Sequence, residues 1–194
     1  MPNVLTSAPA VEPVTVAELQ EHLSLATGQQ ETLLGRLITA ARLSVENDCR
    51  RQLVTATWAL MLDAWPGAKP IRLPLAPVQS LTSVAYYDAD GAEQTWDAAN
   101  YVTDLYSISP RIDRAEGVSW PELETARLLP VTVTYVAGYG DDADDVPQPL
   151  RLAILMLAAE LYERRELNTP ETLTPTIGYQ RMLGQYMRPD YEAR

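Results

Sequence analysis

The chain has 194 residues, of which 46% are hydrophobic and 21% charged, so a packed core is feasible and wholesale disorder is excluded. Twenty-six acidic against 15 basic residues give a formal net charge of -11, the opposite of the clustered Lys and Arg that phosphate neutralisation or an anionic membrane requires. One cysteine, Cys49, rules out an intramolecular disulfide framework and points to folding in the cytoplasm.

Residues 1–13 carry Pro2, Pro9 and Pro13 among small side chains and read as an extended arm. Met1 to Leu5 lack a basic and then apolar character, so they do not read as a signal peptide. Thr15-Val16-Ala17-Glu18 matches a capping box, with Thr15 as N-cap and Glu18 at N3, and predicts a short helix over about 16–25. The segment 30–50 is the clearest amphipathic helix. Leu34, Leu37, Ile38, Ala41 and Val45 form its apolar stripe, with Arg36, Arg42, Glu46 and Arg50 largely off it. Arg50-Arg51-Gln52 then ends the helix with positive charge, which suits its C-terminal dipole.

Strand patterns fill 53–140. Val54, Ala56, Trp58, Leu60 and Leu62 alternate with their neighbours at period two. Ile71-Arg72-Leu73 follows between prolines. Ser80 to Tyr87 and Ala92 to Trp96 flank Asp88-Ala89-Asp90-Gly91, a hairpin signal. Tyr101-Val102-Thr103 and Arg111-Ile112-Asp113 are weaker strands, and Val131 to Val136 is a strong one. After the acidic loop 141–145, Pro147 and Pro149 suit the first turn of a helix. Leu150, Ile154, Leu157, Ala158 and Leu161 line one face of that helix up to about Glu166. Its longest apolar run, Leu152 to Ala159, is too short to span a bilayer. Residues 168–176 read as a linker, and a last helix over about 178–187 gathers Tyr179, Met182, Leu183 and Tyr186 on one side.

The order predicts an α+β fold: a helical body from 14–52 and 146–166, with the two stripes packed on each other, and an inserted antiparallel β-rich region over 53–140. The arm 1–13 and a linker with a C-terminal docking helix, 168–194, flank it.

The search for chemistry finds little. His22, the only histidine, reads as a surface helical residue rather than a general base, and Cys49 as a small buried hydrophobe. There is no zinc spacing, phosphate-binding glycine motif or nucleophile elbow. We therefore expect no catalytic residue, cofactor or metal. Asp141-Asp142-Ala143-Asp144-Asp145 lacks EF-hand spacing and reads as a solvated loop at a helix N-terminus; a Ca²⁺-stabilised β-module is the alternative. Trp58 reads as core, and Trp65-Pro66-Gly67 and Trp120-Pro121 as turn anchors. With the many carboxylates, these tryptophans leave a hydrolase or carbohydrate-binding module as a further alternative.

A series of segments carries a resemblance. It runs from Pro13-Val14-Thr15-Val16-Ala17-Glu18-Leu19 through Leu33-Leu34-Gly35-Arg36-Leu37-Ile38 and Arg50-Arg51-Gln52-Leu53 to Thr57-Trp58. Ile71-Arg72-Leu73-Pro74 and Ala76-Pro77-Val78-Gln79-Ser80-Leu81 follow, then Val133-Thr134-Tyr135-Val136-Ala137-Gly138-Tyr139-Gly140, Val146-Pro147-Gln148-Pro149-Leu150 and Leu161-Tyr162-Glu163-Arg164-Arg165-Glu166. In order and spacing, over about 13–166, the series resembles the head–tail connector (adaptor) proteins of long-tailed phages and phage-derived gene transfer agents.

The resemblance implies a structural virion protein without a reaction: a dodecameric ring of itself under the portal protein, meeting the next head-completion or tail component on its other side. DNA would pass through the ring without sequence-specific binding, and no membrane is involved. The particle would assemble in the bacterial cytoplasm. Connector C-termini dock on the portal, so the resemblance assigns Tyr179, Arg181, Met182, Leu183, Tyr186, Met187 and Arg188 to portal binding. Tyr, Met and Arg suit an interface.

Overall fold

The computed structural model describes residues 1–164 and 177–188. The described residues form an α+β fold with four α-helices and two antiparallel sheets among them, divided into two compact units. The first holds residues 1–9 and 55–139; the second holds residues 10–54 and the described residues from 140 onward.

The first unit is built on a five-stranded sheet. β1 (Asn3–Ser7), β2 (Ala56–Leu62), β4 (Val78–Tyr87), β5 (Glu93–Thr95) and β8 (Val131–Ala137) lie in the order β1-β2-β8-β4-β5, each antiparallel to its neighbour. The extended arm is therefore partly a strand: Asn3 to Leu5 register with Leu60 to Trp58 of β2. A second sheet of three strands joins β3 (Ile71–Arg72), β7 (Arg111–Arg114) and β6 (Tyr101–Asp104). The period-two pattern explains the core: Val131, Val133, Tyr135 and Ala137 alternate with half-buried residues along β8 and pack with Leu60, Leu62 and Val84. The β4–β5 hairpin closes as its turn chemistry requires. Asp88 Oδ1 accepts from the Asp90 and Ala92 amides, and Gly91 takes φ 80°, a left-handed value that glycine supplies without strain.

The second unit is helical. α1 (Val16–His22) starts at the expected capping box: the Thr15 hydroxyl accepts from the Glu18 amide, and the Glu18 carboxylate accepts from the Thr15 amide at 2.7 Å. It ends at His22, three residues short of the expected boundary, because Ser24 turns left-handed at φ 56°. α2 (Glu31–Cys49) buries Leu34, Ile38, Ala41 and Val45 and packs on α3 (Gln148–Glu163), which buries Leu150 and Ile154. The expected facing stripes are narrower than the sequence suggests. Leu37 and Leu157 are half-buried, and Leu161, in the last turn of α3, is exposed. α4 (Ile177–Gly184) is followed by a turn in which the amides of Tyr186 and Met187 both donate to the Leu183 carbonyl. Residues 165–176, with the expected linker, and 189–194 lie outside the described residues.

A larger difference concerns Arg42 and Glu46. Helical spacing puts them beside the stripe, yet both are only 8% exposed. Arg42 Nε meets Glu12 at 2.6 Å and its Nη1 meets Glu46 at 2.7 Å. Glu46 also accepts from the Gln52 side-chain amide at 2.8 Å and the Leu53 amide at 3.0 Å. The charges are buried because Glu12, from before α1, and Gln52-Leu53, from after α2, close over them, and each side-chain nitrogen of Arg42 and each oxygen of Glu46 has a hydrogen-bond partner.

Candidate functional site

α4 packs on α3 and on the C-terminal end of α2 within the helical unit. Leu183 is 3% exposed and anchors it. The Tyr179 hydroxyl donates to Asp48 at 3.0 Å, Arg51 Nε donates to the Tyr186 carbonyl at 2.6 Å, and the Arg188 amide donates to the Cys49 carbonyl. Burial, then the Asp48 carboxylate, push the Tyr179 hydroxyl far above its usual pKa, so it stays a neutral donor. Arg181 and Met187 point outward as exposed side chains, while Met182, Tyr186 and Arg188 are half-buried. The seat has a cause in the sequence. Arg50 caps α2 in the left-handed region at φ 53°, and its amide and that of Arg51 satisfy carbonyls of the last turn. The chain thereby leaves the helix at the point where α4 docks.

The acidic loop serves its own unit. Asp144 pairs with Arg151 at 2.7 Å, and Arg151 also reaches Glu18 of the α1 capping box at 2.7 Å, tying loop, α1 and α3 together. Asp145 accepts from the Asp142 amide, and its side chain fills the space where a Cβ on Gly140 would sit. Among the described residues, no group of three or more His, Cys, Asp or Glu side chains is arranged to hold a metal ion. His22 is exposed in the last turn of α1. Cys49 is fully buried, and burial pushes its thiol up to about 11, which removes thiolate at neutral pH.

The tryptophans hold a surprise. Trp65 and Trp120, read from sequence as separate turn anchors, stack face to face at 4.6 Å between ring centres and 9° between planes. Trp96 packs against both at 5.7 and 4.9 Å. The two indole N–H groups latch the loops reciprocally: Trp65 donates to the Pro121 carbonyl at 2.9 Å and Trp120 to the Gly67 carbonyl at 2.7 Å. Arg114 lies 5.5 Å over the Trp120 ring. One face of each stacked ring is thus spent on the other, in a cluster that fixes loops of the β-rich unit. Only the Trp-Pro pairing at both turns hinted at it.

The surfaces, then, show helix seats, loop latches and sheet edges. No protein-family model and no curated protein sequence matches the chain. Solved structures do. A chain in the virion of a native gene transfer agent particle superposes with TM-score 0.80 at 27% identity, covering 97% of this chain and 96% of that one. A chain in the neck of an empty gene transfer agent particle, computed with C6 symmetry, gives 0.81 at 26%, covering 97% of this chain and 100% of that one. A third, in the neck of a native particle computed with C12 symmetry, gives 0.73 at 25%, covering 96% and 100%. Its fold is that of a gene transfer agent particle component. The connector resemblance in the sequence and this likeness agree, and both units of the particle-component fold lie inside the superposed length. That points to a structural rather than a chemical role.

Proposed function

We propose that this chain is the head–tail adaptor of a gene transfer agent or related phage particle, a ring-forming structural protein joining the portal on the DNA-filled head to the next tail component. The observation that carries the reading is the likeness to neck chains over nearly the whole length at TM-score 0.81. The symmetry with which those necks were computed supports a ring, and twelve copies is the stoichiometry we adopt from the C12 neck. In a closed ring each copy uses two different surfaces, one for each neighbour.

In this reading the helical body, 14–52 with 146–166, and the β-rich insertion, 53–140, carry separate contacts. The C-terminal segment 168–194 faces the portal. Its seat on α2 divides the work: Leu183 holds the helix to its own unit, while exposed Arg181 and Met187 offer a cation and an apolar side chain to the portal. The net charge of -11 suits a conduit that DNA passes without sticking. Deleting the gene in a producing cell and imaging the lysate tests the reading. DNA-filled heads and free tails should accumulate apart and rejoin when the protein is added back; complete tailed particles from the deletion strain would refute it.

A further inference from the structure

The five-stranded sheet has two borders, and they fit each other. β1 forms one: β2 pairs with its inner side, and among the described residues no strand pairs with its outer side. The opposite border is stepped. β5 registers only with Ala85 to Tyr87 of β4, and one further bond runs from the Trp96 amide to the Val84 carbonyl. Residues 79–83 of β4 therefore have β8 on one side and, among the described residues, no strand on the other.

The two open stretches match in length, charge and direction. β1 is five residues long, the same as 79–83. Neither Asn3-Val4-Leu5-Thr6-Ser7 nor Gln79-Ser80-Leu81-Thr82-Ser83 contains a charge or a proline, although the chain has 15 prolines and 21% charged residues. Exposed edges ordinarily carry lysine, proline, an inward charge or a bulge to prevent pairing, and of these devices the two stretches carry bulges alone. Here Val4 and Leu5 instead stand 44% and 42% exposed, and Ser80 and Thr82 are exposed. Each strand has a register shift, between Leu5 and Ser7 in β1 and after Val78 and Leu81 in β4. Such bulges pin a register. Because every pairing in the sheet is antiparallel, β1 runs opposite to β4. A second copy advanced sideways along the sheet would lay its β1 antiparallel beside 79–83, end to end with β5.

We infer that β1 of one copy adds as a strand to the stepped edge of β4 in the next copy, so that the sheets run on from subunit to subunit. The inference rests on the ring reading above. A copy cannot fill its own step: β2 and β8 stand between its β1 and β4, a separation of about 14 Å at the usual strand spacing. A head-to-tail ring would use the β1 edge and the 79–83 step of every copy.

Cysteine pairs test it in full-length chains assembled in particles. In a five-on-five antiparallel alignment Val4 faces Thr82. Val4→Cys/Thr82→Cys and the neighbouring pair Val4→Cys/Ser80→Cys bracket the register, and a disulfide requires Cα atoms within about 7 Å, so a bond within one chain is out of reach. Mild oxidation should give a ladder of multimers on a non-reducing gel from at least one pair, and none from the single variants; buried Cys49 stays silent. No ladder from either pair overturns the inference. As a second arm, Val4→Lys/Leu5→Lys places charge on exposed positions. It should leave subunit melting unchanged and raise the concentration for half-assembly at least about tenfold; unchanged assembly overturns the inference too. Imaging of unmodified particles separates the two levels. A ring in the neck with no ladder sinks the strand addition alone, whereas a neck without a ring of this protein sinks the adaptor reading with it.

Discussion

Replacing Glu46 by alanine is the sharpest test of how the helical unit is held. The carboxylate sits 8% exposed, accepting from Arg42 Nη1, the Gln52 amide and the Leu53 backbone amide. Burial lifts its pKa above the usual range, opposed by the Arg42 charge and the Leu53 amide. Burial also works against the Arg42 charge, but Glu12 and Glu46 outweigh it and hold that guanidinium protonated. Removing Glu46 leaves Arg42 with Glu12, strands the Leu53 amide away from water and takes one acceptor from the Gln52 side-chain amide, which keeps the Val54 carbonyl. Breaking such a buried pair from one side costs about 3–5 kcal/mol. With a urea dependence of ~2 kcal/mol per molar, the midpoint of the helical unit should fall by roughly 2 M. Glu46→Gln keeps an oxygen for the Gln52 and Leu53 donors but turns an NH2 toward Arg42 Nη1, losing that bond and the charge, so it should cost less than the alanine, about 1–3 kcal/mol. Exposed Glu163→Ala is the control. Urea melts followed by far-ultraviolet circular dichroism give the order wild type, Glu46→Gln, Glu46→Ala. A Glu46→Ala midpoint indistinguishable from Glu163→Ala would refute the claim that this network organises the unit.

Glu18 makes stability depend on acid. Desolvation raises its pKa, but the Thr15 hydrogen bonds and the Arg151 charge outweigh it and hold the carboxyl below its usual value. Its contribution is therefore full above the ordinary glutamate pKa and is lost as pH falls through the lowered one, so the melting gap between wild type and Glu18→Gln should close on acidification. Gly140→Ala pushes a methyl into the Asp145 side chain and should lower the melting temperature, with Asp145→Ala added on top restoring part of the loss. Trp120→Ala breaks the stack with Trp65 and the bond to Gly67; for this half-buried ring it should cost about 2–3 kcal/mol and weaken the near-ultraviolet dichroism of the coupled indoles. On the tail, Leu183→Ala should destabilise the isolated subunit by about 2–5 kcal/mol, whereas Met187→Asp should leave melting unchanged and impair joining of heads to tails. Equal effects of the two on melting would remove the division between anchor and contact.

What the sequence determined by itself was local and periodic. Thr15 and Glu18 specify a capping box because both hydrogen bonds span only three residues. The Asp-Gly turn specifies a hairpin for the same reason, and the alternation along 131–137 predicts which β8 side chains are buried, because one face of a strand repeats every second residue. The series of short motifs also led to the connector family, a likeness that the fold shares with gene transfer agent particle chains. What only the tertiary structure decided depends on groups far apart in the chain. Arg42 and Glu46 lie beside the stripe on a helical wheel, and nothing local says that Glu12 and Gln52 will close over them. Trp65 and Trp120 meet across 55 positions of sequence only because loops of the same unit converge. The tail helix shows an apolar side in sequence, but its seat exists only once α2 has ended at Arg50 and turned its last carbonyls and Asp48 toward it. The stepped border of the sheet is likewise invisible in the strands taken singly. An open edge is a property of strand order, and strand order is set by which long-range pairings close, not by the pattern within any one strand.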